Sequence, residues 1–260
     1  MTTTRHHSDT ETRASGLDGR LQDGLEWISG HRRESLIALG VLLAAVVLAA
    51  ILWELSRVRR AEASAELAAI EAAFATEMGS DRSVALIAEP ANPEQATRAR
   101  EAALTKLDAF AQAHGGLDLA DNAALRSAEL EIDLGRLDAA DARLAALITQ
   151  LSDGNPRKSI ALRLRGYVLE ELDRAEEAAA LYEAGGALES YLPRAMLWLA
   201  AARVHMRLGA NENALRALDQ AIAIEPELAS DPAIERERRS AQAGISQGSG
   251  APPSDPANPE

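Results

Sequence analysis

"RAMLWLAAARVHMRLGANENALRALDQAIAIEP" runs from Arg194 to Pro226. Two apolar-periodic runs flank Leu208-Gly209-Ala210, and neither contains a breaker. The pattern predicts two helices joined by a tight turn at Gly209, because glycine enters the left-handed conformation that a helix C-terminus often needs. Small residues stand where the helices must come closest: Ala202 in the first, and Ala214 in the second, five residues past the turn. Alanine at such points lets two helices approach at the short end of the ~8–10 Å range. Trp198 and Leu218 fill what remains, and Pro226 closes the unit.

Two earlier stretches repeat this arrangement. They are "NAALRSAELEIDLGRLDAADARLAALITQ" (122–150) and "IALRLRGYVLEELDRAEEAAALYEAGGAL" (160–188), with turns at Gly135 and Asp173. Ala140 and Ala178 again fall five residues after each turn, and the turn-to-turn separations are 38 and 36 residues. A single helix pair cannot bury its apolar face, so neighbouring pairs must stack. Pro93–Gly115 reads as a further helix packing on the first pair. Asp231–Ser240 starts with an Asp-Pro capping signature and is mostly charged, which suits a capping helix.

The Arg194–Pro226 unit resembles the tetratricopeptide repeat. Trp198 matches the large first anchor, and Ala202, Gly209, Ala214, Leu218 and Ala221 match at the family's spacing; His205 replaces the usual Tyr. The second unit keeps Gly166, Ala178 and Tyr182, with Gly185 where Ala is usual. The first keeps Ala128, Gly135, Ala140 and Leu144. The separations exceed the family's ~34 residues, so the repeats are degenerate. The resemblance implies an all-α fold, a right-handed α-α solenoid of about three repeats, whose first helices line a concave groove. Carried over by alignment, the groove positions are Asn122, Leu125, Glu129, Ile132 and Asp133; then Arg163, Tyr167, Glu170 and Glu171; then Met196, Leu199, Arg203, Met206 and Arg207. This surface is acidic at one end and has an arginine pair at the other. Tyr167 and Met206 offer adaptable apolar contacts. The Asn/Lys pattern with which some relatives clamp a terminal carboxylate is missing.

Upstream, Leu36 to Trp53 is 18 residues without a charge. As a helix it spans ~27 Å, enough for a bilayer core of ~30 Å once its flanks sit at the interface. It reads as a retained anchor. The preceding 35 residues are long for a signal peptide, the apolar run exceeds the usual ~7–15, and Arg57, Arg59 and Arg60 follow it. Arg32 and Arg33 precede it, so the positive-inside rule does not set the orientation. The expected organisation is a tail over 1–34 with an amphipathic helix at 17–29, a single transmembrane helix over 35–54 and a helical extension over 55–78. A linker over 79–92, a repeat domain over 93–243 and a disordered tail over 244–260 follow.

Composition excludes several functions. Residues 61–260 carry 19 basic and 33 acidic side chains, so phosphate backbones are repelled and nucleic-acid binding is not expected. Cysteine is absent, which removes disulfides, thiolate metal sites and Cys nucleophiles. No phosphate loop, H-E-x-x-H or G-x-S-x-G motif occurs, so neither enzyme activity, cofactor nor metal is expected. His6-His7 has no partner at ligand spacing, His114 stands at a helix end, and His205 occupies a core position. The acid pairs Glu170-Glu171 and Glu176-Glu177 diverge on a helix and read as solvated faces.

The order of parts also resembles the bacterial inner-membrane tetratricopeptide-like proteins that accompany the Sec translocon and cooperate with periplasmic chaperones. "GLEWISGHRRESLIALGVLL" (24–43) and "NAALRSAELEIDLGRLDAADARLAAL" (122–147) carry most of that likeness. It implies a cytoplasmic N-terminus, periplasmic repeats, a Gram-negative-type envelope and reversible binding of the translocon, chaperones or unfolded clients. A structural scaffold of another envelope complex, in division, outer-membrane assembly or secretion, is the alternative. The oligomeric state is not encoded in these signals.

Overall fold

The computed structural model describes residues 32–79, 92–189 and 193–248. The helix expected at 17–29, His6-His7, nearly all of the 79–92 linker and the end of the C-terminal tail lie outside those residues. The helices are α1 (Arg32–Glu77), α2 (Pro93–Ala113), α3 (Asp118–Asp133), α4 (Leu137–Gln150) and α5 (Pro156–Glu171). Then come α6 (Ala175–Ala187), α7 (Arg194–Arg207), α8 (Asn211–Ile224), a 3-10 turn at Pro226–Ser230, and α9 (Pro232–Gly248). No strand occurs among the described residues.

The chain divides into two units, 1–62 and 63–260. In the first, the large apolar side chains of α1 from Leu36 to Val58 are exposed, Trp53 to 66%. Among the described residues, α1 is the one helix long and apolar enough to cross a membrane. The Arg57 guanidinium lies 5.9 Å from the Trp53 ring centroid and 3.6 Å from Glu54.

In the second unit, local chemistry sets each helix boundary. Three helices start on the same device. Asn92, Asn155 and Asp231 each precede a proline, and each side chain accepts from the amide two residues on, at 3.0, 3.0 and 2.7 Å. Three helices end alike. Gly135 (φ 71°), Asp173 (φ 57°) and Gly209 (φ 72°) are left-handed. The next amide in each case reaches five residues back, Arg136 to Glu131, Arg174 to Leu169 and Ala210 to His205, at 2.8–2.9 Å. This is the Schellman pattern, and it turns the chain straight into the following helix.

The helices α3–α4, α5–α6 and α7–α8 are the three expected pairs, and they stack consecutively into an α-α solenoid. Ala140, Ala178 and Ala214 are fully buried at the close approaches. The core is a chain of three clusters. Ala63, Phe74 and Met78 of α1 pack with α2 and α3 in the first. The second joins α3, α4 and α5, and the third joins α5 through α9. Polar groups tie neighbours together. Arg143 of α4 donates to Glu131 of α3 at 2.7 and 2.9 Å and to Asp108 of α2 at 2.8 Å. Arg165 of α5 reaches Asp141 of α4 at 2.6 Å, and Arg238 of α9 reaches Asp219 of α8 at 2.9 Å. Helix α9 continues to Gly248, so residues 244–248, expected to begin the disordered tail, are helical; the Asn211 side chain at the start of α8 lies where a β-carbon on Gly244 would stand.

Candidate functional site

The site is built around a glycine. Gly166, in the middle of α5, faces the Tyr182 ring of α6. A β-carbon there would come within 2.6 Å of Tyr182 Cε1. The ring is thereby held against α5, 4% exposed, and its hydroxyl donates to Glu170 Oε1 at 2.7 Å. Arg207 of α7 donates to the other oxygen, Glu170 Oε2, at 2.5 Å. Three successive helices thus converge on one carboxylate.

Above this junction lies a depression of about 410 Å³, walled by α5 on one side and α7 on the other. Arg163, Tyr167, Met196, Ala200 and Arg203 line it, with Pro193 at its edge. A second hollow of about 340 Å³ adjoins it, shares Tyr167, Tyr182, Ala200 and Arg203, and adds Glu170 and Arg207. Met196 is 64% exposed and Tyr167 46%. Burial pushes the Tyr182 phenol above the usual tyrosine range, Glu170 adds to the push, and the Arg203 and Arg163 charges oppose it. Neither Arg163 nor Arg203 forms an ion pair among the described residues; Arg203 only contacts the Leu199 carbonyl of its own helix at 3.4 Å.

Six of the fourteen groove positions come together here: Arg163, Tyr167, Glu170, Met196, Arg203 and Arg207. The other eight do not line these hollows. Asn122 accepts from Arg157 at 2.6 Å. Glu129 pairs with Arg126 at 2.7 Å, and Asp133 lies 3.6 Å from Arg100. The expected acidic end is therefore neutralised, because α2 packs beside α3 and carries Arg100 to Asp133. Met206 is half-buried and lines neither hollow. Leu125 is buried, and Ile132 and Leu199 pack against core clusters. Glu171 is exposed, whereas Glu170, expected on a solvated face, is bound by Tyr182 and Arg207. Glu177 likewise receives both arms of Arg174, which hold its carboxyl below the usual carboxylate range.

Tyr182 and Ala200 were not among the groove candidates. The available signal was Gly166, a helix-interior glycine that only a close neighbour explains. His205 is 8% exposed with Nε2 at 2.8 Å from Glu183, and His114 Nε2 lies 2.8 Å from Glu66. Among the described residues no group of three His, Asp or Glu side chains is arranged to hold a metal.

No family model and no curated protein matches the chain. Several solved structures are similar to it in fold. Nearly identical TPR-like repeats of kinesin-light-chain type from Podosopora anserina share 16% identity, over 58% of this chain and 81% of that one, with a TM-score of 0.47. BtubC from P. vanneervenii shares 14% over 76% and 96%, with a TM-score of 0.45. MamA shares 13% over 60% and 95%, with a TM-score of 0.41. At these identities the likeness concerns the fold alone, and the repeat assignment rests on the helix pairs, turns and buried alanines above.

Proposed function

We propose that the protein is a membrane-anchored interaction module. It holds an extended segment of a protein partner in the depression between α5 and α7, and no bond is made or broken. One observation carries this reading. Within the described part of residues 63–248, the exposed large apolar side chains are Tyr167, Met196 and Leu208, and two of the three line this depression. Clustered exposed apolar groups with a polar rim are the usual mark of an interaction surface. The TPR-like solenoid supports a protein partner as the ligand.

The likeness to translocon-associated envelope proteins supports a finer reading. The N-terminus is cytoplasmic, the repeats are periplasmic at a bacterial inner membrane, and the partners are the Sec translocon, periplasmic chaperones or exported clients. Protease protection in spheroplasts, with tags at both ends, tests the topology. A photo-crosslinking residue at Met196 then tests the site. Crosslinks to translocon subunits, chaperones and several clients are expected. A protected repeat domain sinks the periplasmic reading. One stoichiometric partner outside the export machinery would favour a fixed scaffold instead.

A further inference from the structure

We infer that the depression between α5 and α7 takes an acidic segment of its protein partner, a stretch bearing Asp or Glu carboxylates beside an aliphatic or aromatic anchor. This rests on the groove reading and adds the chemistry of the occupant.

The argument starts from charge. Residues 61–260 hold 19 basic and 33 acidic side chains. With acids in such excess, many surface arginines find a carboxylate. Arg126, Arg136, Arg143, Arg165 and Arg174 all do. Among the described residues Arg163 and Arg203 do not, and neither do Arg98, Arg194, Arg216, Arg236 and Arg239; of these, Arg163 and Arg203 are the two that stand on the same depression, one on α5 and one on α7. The carboxylate lining the adjoining hollow, Glu170, already receives Tyr182 and Arg207. A cationic concavity thus persists on an acidic domain.

Guanidinium forks match carboxylates in planar, two-pronged geometry, so these arginines select acidic side chains rather than basic ones. The net negative charge of the domain does not prevent this. At physiological salt the screening length is ~8 Å, so the nearest cations decide what a short segment feels. Met196 and Tyr167 lie in the same hollow and provide the seat for an apolar anchor. Residues 249–260 are themselves acidic, with Asp255, Glu260 and no basic residue. They contain no large apolar side chain to cover Met196 and Tyr167, which favours a partner over the chain's own tail.

The test uses the full-length protein in nanodiscs and three fluorescent peptides of equal length, read by anisotropy. All share one Leu-Phe anchor; the flanks are Glu/Asp, Ser or Lys. The acidic peptide should bind most tightly and weaken as salt rises, while the Ser peptide should bind less tightly and respond little to salt. The paired substitution Arg163→Gln and Arg203→Gln should weaken the acidic peptide about tenfold or more and leave the Ser peptide nearly unchanged. Met196→Ala should weaken both. Circular dichroism checks that the exposed substitutions keep the helices. The salt series on the unaltered protein decides the matter if they do not.

Equal or tighter binding of the Lys peptide, still sensitive to Met196→Ala, overturns the acidic preference and leaves the groove standing. Failure of all three peptides removes the groove reading with it. A chain ending at Gly248 that binds the acidic peptide about tenfold more tightly makes the tail the occupant and overturns the choice of a partner. A dimer in sedimentation that the acidic peptide dissociates assigns the depression to a second copy, with the same consequence.

Discussion

A β-carbon on Gly166 would lie 2.6 Å from Cε1 and 2.8 Å from Cζ of Tyr182, a ring with its hydroxyl fixed on Glu170. Two effects compete in Gly166→Ala. Helix propensity favours alanine by ~1 kcal/mol, whereas overpacking a filled contact costs ~1–3 kcal/mol. The ring is rigid and buried, so the cost wins. We expect the melting temperature to fall by about 2–6 °C. The fall should shrink in a Tyr182→Phe background, where the ring can slide off the carboxylate; an undiminished fall would show that the hydroxyl is not what holds it. Tyr182 also gives a pH signature. Its pKa is raised in the fold, so the folded state retains a proton that the unfolded chain releases at ~10. The associated stability is complete below pH ~10 and declines as pH rises toward the folded value. Ultraviolet absorbance of the chain's three tyrosines should therefore show one that ionises only as helicity is lost. Three ordinary titrations in the folded protein would contradict the buried hydrogen bond. At this scale Gly166 and Tyr182 were both visible in the sequence as repeat residues. Their contact with Glu170 was not, because it depends on a third helix bringing Arg207 to the same carboxylate.

The helix-to-helix turns offer a comparison within one molecule. Gly135 and Gly209 have φ near 71°, and Asp173 occupies the matching place at 57° with the same five-back hydrogen bond. A left-handed residue with a side chain is strained by ~1–2 kcal/mol, aspartate somewhat less than most. Asp173→Gly should therefore raise stability modestly, by up to ~1 kcal/mol, since part of the relief is lost to the freer unfolded chain. Gly209→Ala should lower it by ~1–2 kcal/mol. Chemical denaturation of both variants checks the pair. A loss of stability for Asp173→Gly would mean that the carboxylate makes an interaction outweighing the strain. These turns, the Asn-Pro and Asp-Pro starts and the alanines five residues past each turn were legible because each depends on neighbours in sequence. The polar ties between elements were not legible. Arg143 reaches Asp108 across 35 residues, and Arg100 neutralises Asp133 from another helix. No local pattern separates these arginines from Arg163 and Arg203, which meet no carboxylate among the described residues.

In a solenoid each element is held mainly by its neighbours, so stability is close to a sum of nearest-neighbour terms and the ends matter most. The N-terminal end of the packed core is not α2. Ala63, Phe74 and Met78 of α1 are buried against Ala96, Ala103, Leu107 and Phe110 of α2, with Leu67 and Ile70 packed alongside. His114 at the end of α2 meets Glu66, and Gln95 donates to the Glu77 carbonyl at 2.9 Å. The expected organisation places residues 55–78 in a helical extension of the membrane helix and starts the repeat domain at 93, after the Gly- and Pro-bounded linker. Their spacing at 63, 67, 70, 74 and 78 is nonetheless that of one buried helical face. Burying a side chain such as Phe74 or Met78 contributes ~1.5–3 kcal/mol. A fragment beginning at 93 would bare the facing side of α2, including Leu107 and Phe110, as a new apolar end. We expect the fragment 63–248 to unfold cooperatively, and 93–248 to melt at least several degrees lower, with α2 exchanging its amide hydrogens first. Phe74→Ala in the longer fragment should reproduce part of that loss, at ~3–5 kcal/mol for a buried aromatic. Equal melting temperatures for the two fragments would show that α1 contributes nothing to the fold beyond residue 62, and the solenoid would then begin at α2.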